Sequence, residues 1–138
     1  LNALMQGGWI FYLAPEGFYD GWLAKPMSWI GILLFFTGMG INLHSDHIIR
    51  TLRKAGDTRH YIPHGGMFRY VTSANYFGEL VEWTGFAIAS SSWAGAVFVL
   101  WTFANLAPRA ASLRRRYEQE FGEEFTRLKR KRIIPFIY

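Results

Sequence analysis

The sequence has no cysteine in its 138 residues, which excludes disulfide frameworks, thiolate nucleophiles and cysteine-based zinc sites together. It has no G-x-G-x-x-G and no Walker-type glycine loop, so a soluble dinucleotide-binding domain is without support, and the zinc-peptidase order H-E-x-x-H is missing too. Neither an internal repeat nor a low-complexity tract is present. Charge is the most informative scarcity. Between Lys25 and Asp46 there is no Asp, Glu, Lys or Arg, and from Arg69 to Arg109 only Glu79 and Glu82 intervene. Uncharged runs of this kind suit bilayer spans of roughly 20 residues. They also count against a nucleic-acid partner, despite a net charge of +5.

What the chain does have is apolar and aromatic: 51% hydrophobic residues, 18% of the total being Phe, Trp or Tyr. We read it as an all-α, multipass transmembrane helical bundle with a basic cytoplasmic C-terminal tail. Leu1 to Leu13 reads as the remainder of a first helix, followed by the loop "APEGFYDGWLAKP" with interfacial aromatics. A second span is expected from about Pro26, a proline tolerated in the first helical turn, to Ile49. Phe68 to Pro108 is long enough, at about 1.5 Å per residue, for two crossings of a roughly 30 Å core. Spans at about 68–89 and 93–108 follow, with the hairpin turn in "SSSWAG". The loop between Arg50 and His64 and the tail at 109–138 are both basic and belong on the cytoplasmic side by the positive-inside rule. The tail reads as a surface helix, a break at Gly122, another turn or two, and an extended end at Pro135. Because the chain starts at a leucine within an apolar stretch, without a signal peptide's basic n-region, we expect further spans to precede it.

Polar residues interrupt this picture in two places. Asn42, Asp46, Arg50 and Arg53 are spaced four, four and three apart, which puts them on one face of a helix. In "SANYFGELVEW", Asn75 and Glu79 repeat the amide-then-carboxylate spacing, and Glu82 follows three residues on. Groups of this kind facing lipid cost several kcal/mol, so the stripes should face the bundle interior or a water-filled cavity. Alternatively, Asp46 pairs with Arg50 while Arg53 reaches the headgroups, or the polar side chains join helix to helix. Two facing stripes with nearby arginines suit a ligand that is anionic at one end and rich in hydroxyls or amides elsewhere, such as NADPH. Gly38 and Gly40 read as sites of close helix packing.

His60 and His64 are four apart, and His44 and His47 flank Asp46. Pro63 argues against a continuous helix presenting the first pair, so a metal site is disfavoured, and His44 and His47 read as interfacial groups or as supports to neighbouring ligand contacts. In the tail, Arg109 and Tyr117 can reach back to a ligand at the membrane surface. Most of the remaining basic residues, Arg115 and Arg127 among them, read as contacts to anionic headgroups.

The stretches "GMGINLHSDHIIRTLRKAG", "IPHGGMFRYVTSANYFGELVEWTGFAIA" and "RLKRKRIIPFIY" resemble the steroid 5α-reductase family, the NADPH-dependent 3-oxo-5α-steroid 4-dehydrogenases. The resemblance covers the chain from about Gly38 onward, in the correct order; the first third matches only in hydropathy. It implies a membrane enzyme that delivers hydride from NADPH to the β-carbon of a Δ4-3-ketosteroid. It also implies that Asn42, Asp46, Arg53, Asn75, Glu79, Arg109 and Tyr117 belong to the cofactor site. Arg53 or Arg50 is the candidate for a phosphate contact, because a guanidinium fork matches phosphate geometry. His60 stands where animal members carry a tyrosine, and Leu113 where they carry a histidine. The glutamate and tyrosine that hold the substrate ketone in the family belong to earlier helices, so the 138 residues alone are expected to be inactive. Alternatives are reduction of another enone lipid, such as a polyprenal or an enoyl thioester, a membrane S-adenosylmethionine-dependent methyltransferase, and a non-catalytic scaffold. The substrate is a steroid or related lipid in the reductase readings, with membrane lipids as the other partners and no metal.

Overall fold

The computed structural model describes residues 1–138 and is all-helical, with no sheet. Helix α1 (Asn2–Gly8) runs into a π-helical turn at Trp9–Leu13; α2 (Pro26–Thr51), α3 (Ala74–Ser90), α4 (Trp93–Phe121) and the short α5 (Glu123–Thr126) follow, with 3-10 turns at Trp22–Ala24 and Gly66–Arg69. Pro26 occupies the first turn of α2, where its missing N–H removes no helical bond.

Helices α2 and α3 pack antiparallel along a seam of small residues. Gly31 and Gly38 on α2, and Gly78 and Gly85 on α3, recur at seven-residue intervals, a period that keeps one face turned to a partner helix. A Cβ added to Gly38 would lie 2.2 Å from the Glu82 amide nitrogen, and one on Gly85 would lie 2.3 Å from that of Phe35. Gly31 meets Ala89 and Gly78 meets Asn42 in the same way, at 2.4 and 2.5 Å. The backbones therefore touch, which only glycine permits. Gly40, expected to share this role, has no neighbour within 4 Å of such a Cβ and points away. It sits two residues from Gly38, on another side of the helix.

The α3–α4 turn falls within the "SSSWAG" stretch. Ser91 takes a left-handed conformation at φ 47°, and the Ser92 hydroxyl caps α4 by accepting from the Gly95 amide at 3.1 Å. Helix α4 does not end at Pro108. It continues to Phe121, so the expected surface helix of the tail is a continuation of the same rod, about 43 Å long at about 1.5 Å per residue. Gly122, at φ 54°, breaks it.

Two further boundaries differ from expectation. Helix α2 stops at Thr51, so Arg53 lies in the following loop and not on the helical stripe. Residues 68–73 precede α3 as a 3-10 turn and an extended strand-like stretch, and the α-helix begins at Ala74. That stretch pairs with the tail: the Lys131 amide donates to Tyr70, and the amides of Thr72 and Ser73 donate to Lys131 and Arg132, at 2.8–3.0 Å. The pairing delivers Ile133 into the core beside Leu80, Leu106 and Ala110. The last residues are therefore folded and not extended. Ile133 and Ile134 both donate to the carbonyl of Tyr138.

Helices α2 and α4 are long and apolar enough to cross a membrane. Their outer faces expose Trp29, Leu33, Phe36, Val97, Leu100 and Trp101, side chains that lipid accommodates and water does not. Helix α3, with 17 residues, is at the lower end of the roughly 17–25 residues that a crossing takes.

Candidate functional site

The α2–α3 register decides which polar groups meet. Gly31 lies level with Ala89, Phe35 with Gly85, Gly38 with Glu82, and Asn42 with Gly78. One turn further, the same register sets Asp46 level with Ala74 and its neighbour Asn75. Asn42, Asp46, Asn75 and Glu79, all half-buried, are thus brought to one end of the helix pair. Asp46 has a loose ion-pair partner in Arg50 at 3.9 Å, with the Arg50 side chain 81% exposed. This is the local pairing that the sequence left open, and such an exposed pair contributes little. Two hydroxyls at this end, those of Ser45 and Ser73, are buried without a hydrogen-bond partner.

Helix α4 contributes the third wall. Arg109 is exposed, within reach of the Glu79 charge. It lines an open concavity of about 420 Å³ with Tyr76, Ser112, Leu113 and Arg116. Two turns on, Tyr117 is half-buried against Phe121 and Phe125, with ring centroids at 5.9 and 5.4 Å. Burial pushes the Tyr117 phenol above its ordinary value, while Arg130, Arg116 and Arg53 pull the other way. Five ion pairs form in the protein, and none engages Arg53, Arg109 or Arg116.

The loop after α2 is itself structured. Asp57 accepts from the Arg59 backbone and guanidinium and from the Tyr61 hydroxyl. These bonds hold its carboxyl down to about 2. His60 Nδ1 lies 2.9 Å from both carboxylate oxygens of Glu120, which ties the loop to α4. His64, by contrast, faces Arg130 at 3.2 Å, so the four-residue spacing of these two histidines does not bring them to one ligand. The His44 ring lies over Gly66, where a Cβ would meet it at 2.8 Å. His47 is exposed.

Arg130 is the residue that sequence reasoning missed. It stands in the run of cations in the tail, but only 4% of its surface is exposed. Its guanidinium donates to the Pro63 carbonyl at 2.7 Å, and its own carbonyl accepts from Arg114 at 2.6 Å. Burial pulls the guanidinium below the usual arginine range, opposed by the nearby Tyr117 phenol. No signal in "RLKRKR" distinguishes this arginine from its neighbours, because its partners lie 66 and 67 residues away.

The family profile described as 3-oxo-5-alpha-steroid 4-dehydrogenase matches residues 1–138. The chain belongs to this family. The family match reaches the first third of the chain as well, where only hydropathy was expected to agree. Among curated relatives, the chain is 47% identical over 137 residues to human 3-oxo-5-alpha-steroid 4-dehydrogenase 1, covering 99% of the chain and 51% of the relative. It is 41% identical over 137 residues to the human type 2 protein of that name, covering 99% of the chain and 52% of the relative. The steroid 5-alpha-reductase of Solanum lycopersicum is 41% identical over 138 residues, covering 100% of the chain and 52% of the relative. The chain thus spans about half the length of the relatives it matches. Its two long apolar helices are consistent with a membrane protein.

Proposed function

We propose that these residues form the NADPH-binding part of a multipass membrane enzyme that reduces the Δ4 double bond of 3-oxo-steroids. The observation that carries the reading is the convergence of amides, carboxylates and unpaired arginines from α2, α3, α4 and the 52–65 loop at one end of the bundle. Asn42 and Asn75 offer both donors and acceptors to a carboxamide. Asp46 and Glu79 accept from hydroxyls such as those of a ribose. Arg53, Arg109 and Arg116 have no carboxylate partner in the chain, which leaves their guanidinium forks for phosphate. Tyr117, wedged between Phe121 and Phe125, is held for a contact from its hydroxyl. The chemical nature of this donor set fits a dinucleotide. NADPH, when bound, supplies the hydride that goes to the β-carbon of the enone, with a proton added at the α-carbon.

In this reading the four apolar segments cross the membrane, and the basic loop and tail lie on the cytoplasmic side, so the cofactor residues sit at the cytoplasmic surface. Groups that hold the substrate ketone and stabilise the enolate, the term that contributes most to such a step, come from helices outside these 138 residues. Membrane lipids are the remaining partners.

The test is a reduction assay on detergent-solubilised full-length protein, following NADPH oxidation with testosterone or progesterone and measuring S-adenosylmethionine binding in parallel. Steroid-dependent NADPH consumption with a 5α-reduced product is the expected result. NADPH binding without steroid turnover would redirect the reading to another enone lipid, and absence of NADPH binding would overturn it. Asp46→Ala and Glu79→Ala should each lower NADPH affinity or turnover by roughly tenfold or more, in keeping with about 1.5–3 kcal/mol for a hydrogen bond to a charged group.

A further inference from the structure

On the side of α4 opposite the cofactor residues lies a second charged feature. Arg109, Ser112, Leu113 and Arg116 share one face, whereas Ala111, Arg114, Arg115 and Glu118 fall about half a turn away at 3.6 residues per turn. This second face meets the tail at Lys131 and Arg132, and together they line a hollow of about 430 Å³. Two of its arginines are held by neighbours within it, and Arg115 donates to the Ser112 hydroxyl at 3.2 Å. Arg114 donates to Glu118 at 2.8 Å and to the Arg130 carbonyl, so the one acid in the hollow is already engaged. Arg132 stacks on the Tyr138 ring at 4.9 Å. The backbone of both Lys131 and Arg132 is pinned by the pairing with residues 70–73. Arg115, Lys131 and Arg132 are left without a carboxylate partner.

The surface above and beside this hollow is greasy. Val97, Leu100 and Trp101 are 51%, 70% and 62% exposed. Val97 and Trp101 continue through Ala104, Pro108 and Ala111 to Arg115 in steps of four, three, four, three and four, a single stripe along α4. At its foot Phe136 and Ile137 are 78% and 76% exposed. An apolar track that ends in a preset cluster of cations is complementary to one kind of molecule, with an acyl chain at one end and a phosphate at the other.

We infer that the hollow at the foot of α4 binds the headgroup of an anionic phospholipid, with Arg115, Lys131 and Arg132 on its phosphate and an acyl chain along the Val97–Ala111 stripe. The hollow itself lies across α4 from Arg109 and Arg116, while the acyl track passes Pro108 at the edge of the concavity that those residues line. The site rests on the membrane reading given above.

The experiment uses full-length protein in neutral detergent micelles, titrated with phosphatidylglycerol carrying brominated chains, with quenching of tryptophan fluorescence as the readout. Brominated phosphatidylcholine and inorganic phosphate serve as competitors. Phosphatidylglycerol should saturate the quenching and bind roughly tenfold or more tightly than phosphatidylcholine, and Arg115→Gln/Lys131→Gln should remove that preference. Arg127→Gln/Lys129→Gln, which takes the same charge from the tail outside the hollow, should retain it. Equal loss in both double variants would reduce the effect to diffuse charge and overturn the site. So would equal affinity for the two lipids, or displacement by inorganic phosphate at the lipid's own concentration, which would make it a site for soluble phosphate. If the first double variant fails to fold, the headgroup and phosphate comparisons on the wild-type protein still decide. Resistance of the native protein to carbonate extraction from membranes tests the membrane reading on its own, so failure of that reading is distinguishable from failure of the site.

Discussion

The α2–α3 seam and the clasp that binds the 52–65 loop and the tail to α4 position the same polar groups by opposite means. The seam is made by subtraction: side chains are absent at Gly31, Gly38, Gly78 and Gly85, and backbone meets backbone. The clasp is made by addition, with long side chains such as Arg130 and His60 reaching across sequence separations of 60 residues or more. The seam gains dispersion contacts that fail if a single atom is inserted. The clasp relies on hydrogen bonds that are individually modest but costly to leave half made.

The largest expected effect breaks the seam. Gly38→Leu should abolish the folded state, because even its Cβ would collide with the Glu82 backbone at 2.2 Å and no rotamer relieves a backbone clash. Loss of a monodisperse, helical species in detergent would verify this, and a well-folded variant would refute the packing. Next, Arg130→Gln should cost about 1–3 kcal/mol by leaving the buried Pro63 carbonyl without its donor. Denaturant titration reads the loss, and Arg127→Gln, at an exposed ion pair, should move the midpoint very little. Gly40→Ala should do the opposite of Gly38→Leu and stabilise by up to about 1 kcal/mol, since its Cβ meets open space and alanine is the better helix former. A destabilised Gly40→Ala would mean that the seam is wider than described.

The smallest effect appears only in alkali. The Tyr117 phenol is raised by burial, so the folded state favours its neutral form. Its contribution to stability is complete below the ordinary tyrosine value of about 10 and is lost as pH rises through the higher folded value. Tyr117→Phe should flatten that alkaline limb, as read by thermal midpoints across pH together with ultraviolet titration of tyrosinate.

Legibility in the sequence followed the same division. Features decided within a few residues were readable: the start of α2 at Pro26, the turn in "SSSWAG", the break at Gly122, and the four-residue spacing that puts Asn42 and Asp46 on one side of α2. The end of α2 was not readable. Leu52, Arg53 and Lys54 are all good helix formers, and nothing local explains why the helix stops at Thr51. Pro108 misled in the other direction, because a proline removes one N–H and usually ends a helix, whereas α4 runs through it. The partners of Gly38 were hidden because a glycine pattern becomes a seam only when a second helix carries the matching one. Arg130 was hidden in a run of cations that looks uniformly solvated.

An interface whose small residues repeat at equal intervals behaves like a vernier, with more than one reading that nearly fits. Displacing α3 by one repeat would set Gly38 against Ala89 and Gly85 against Asn42, again small residue to backbone. The ends of α3 remove that ambiguity. At one end Tyr19 and Trp22 donate to the carbonyls of Ser90 and Ala89, at 2.9 and 2.6 Å; at the other, the amides of Thr72 and Ser73 are held by the tail. These two stops fix the helix along its axis as a bolt is fixed between two nuts. The alignment of Asp46 with Asn75, on which the polar end depends, is therefore held from two ends, one beside it and one some 20 Å away at about 1.5 Å per residue, and a variant at Tyr19 or Trp22 would loosen that alignment without touching the site.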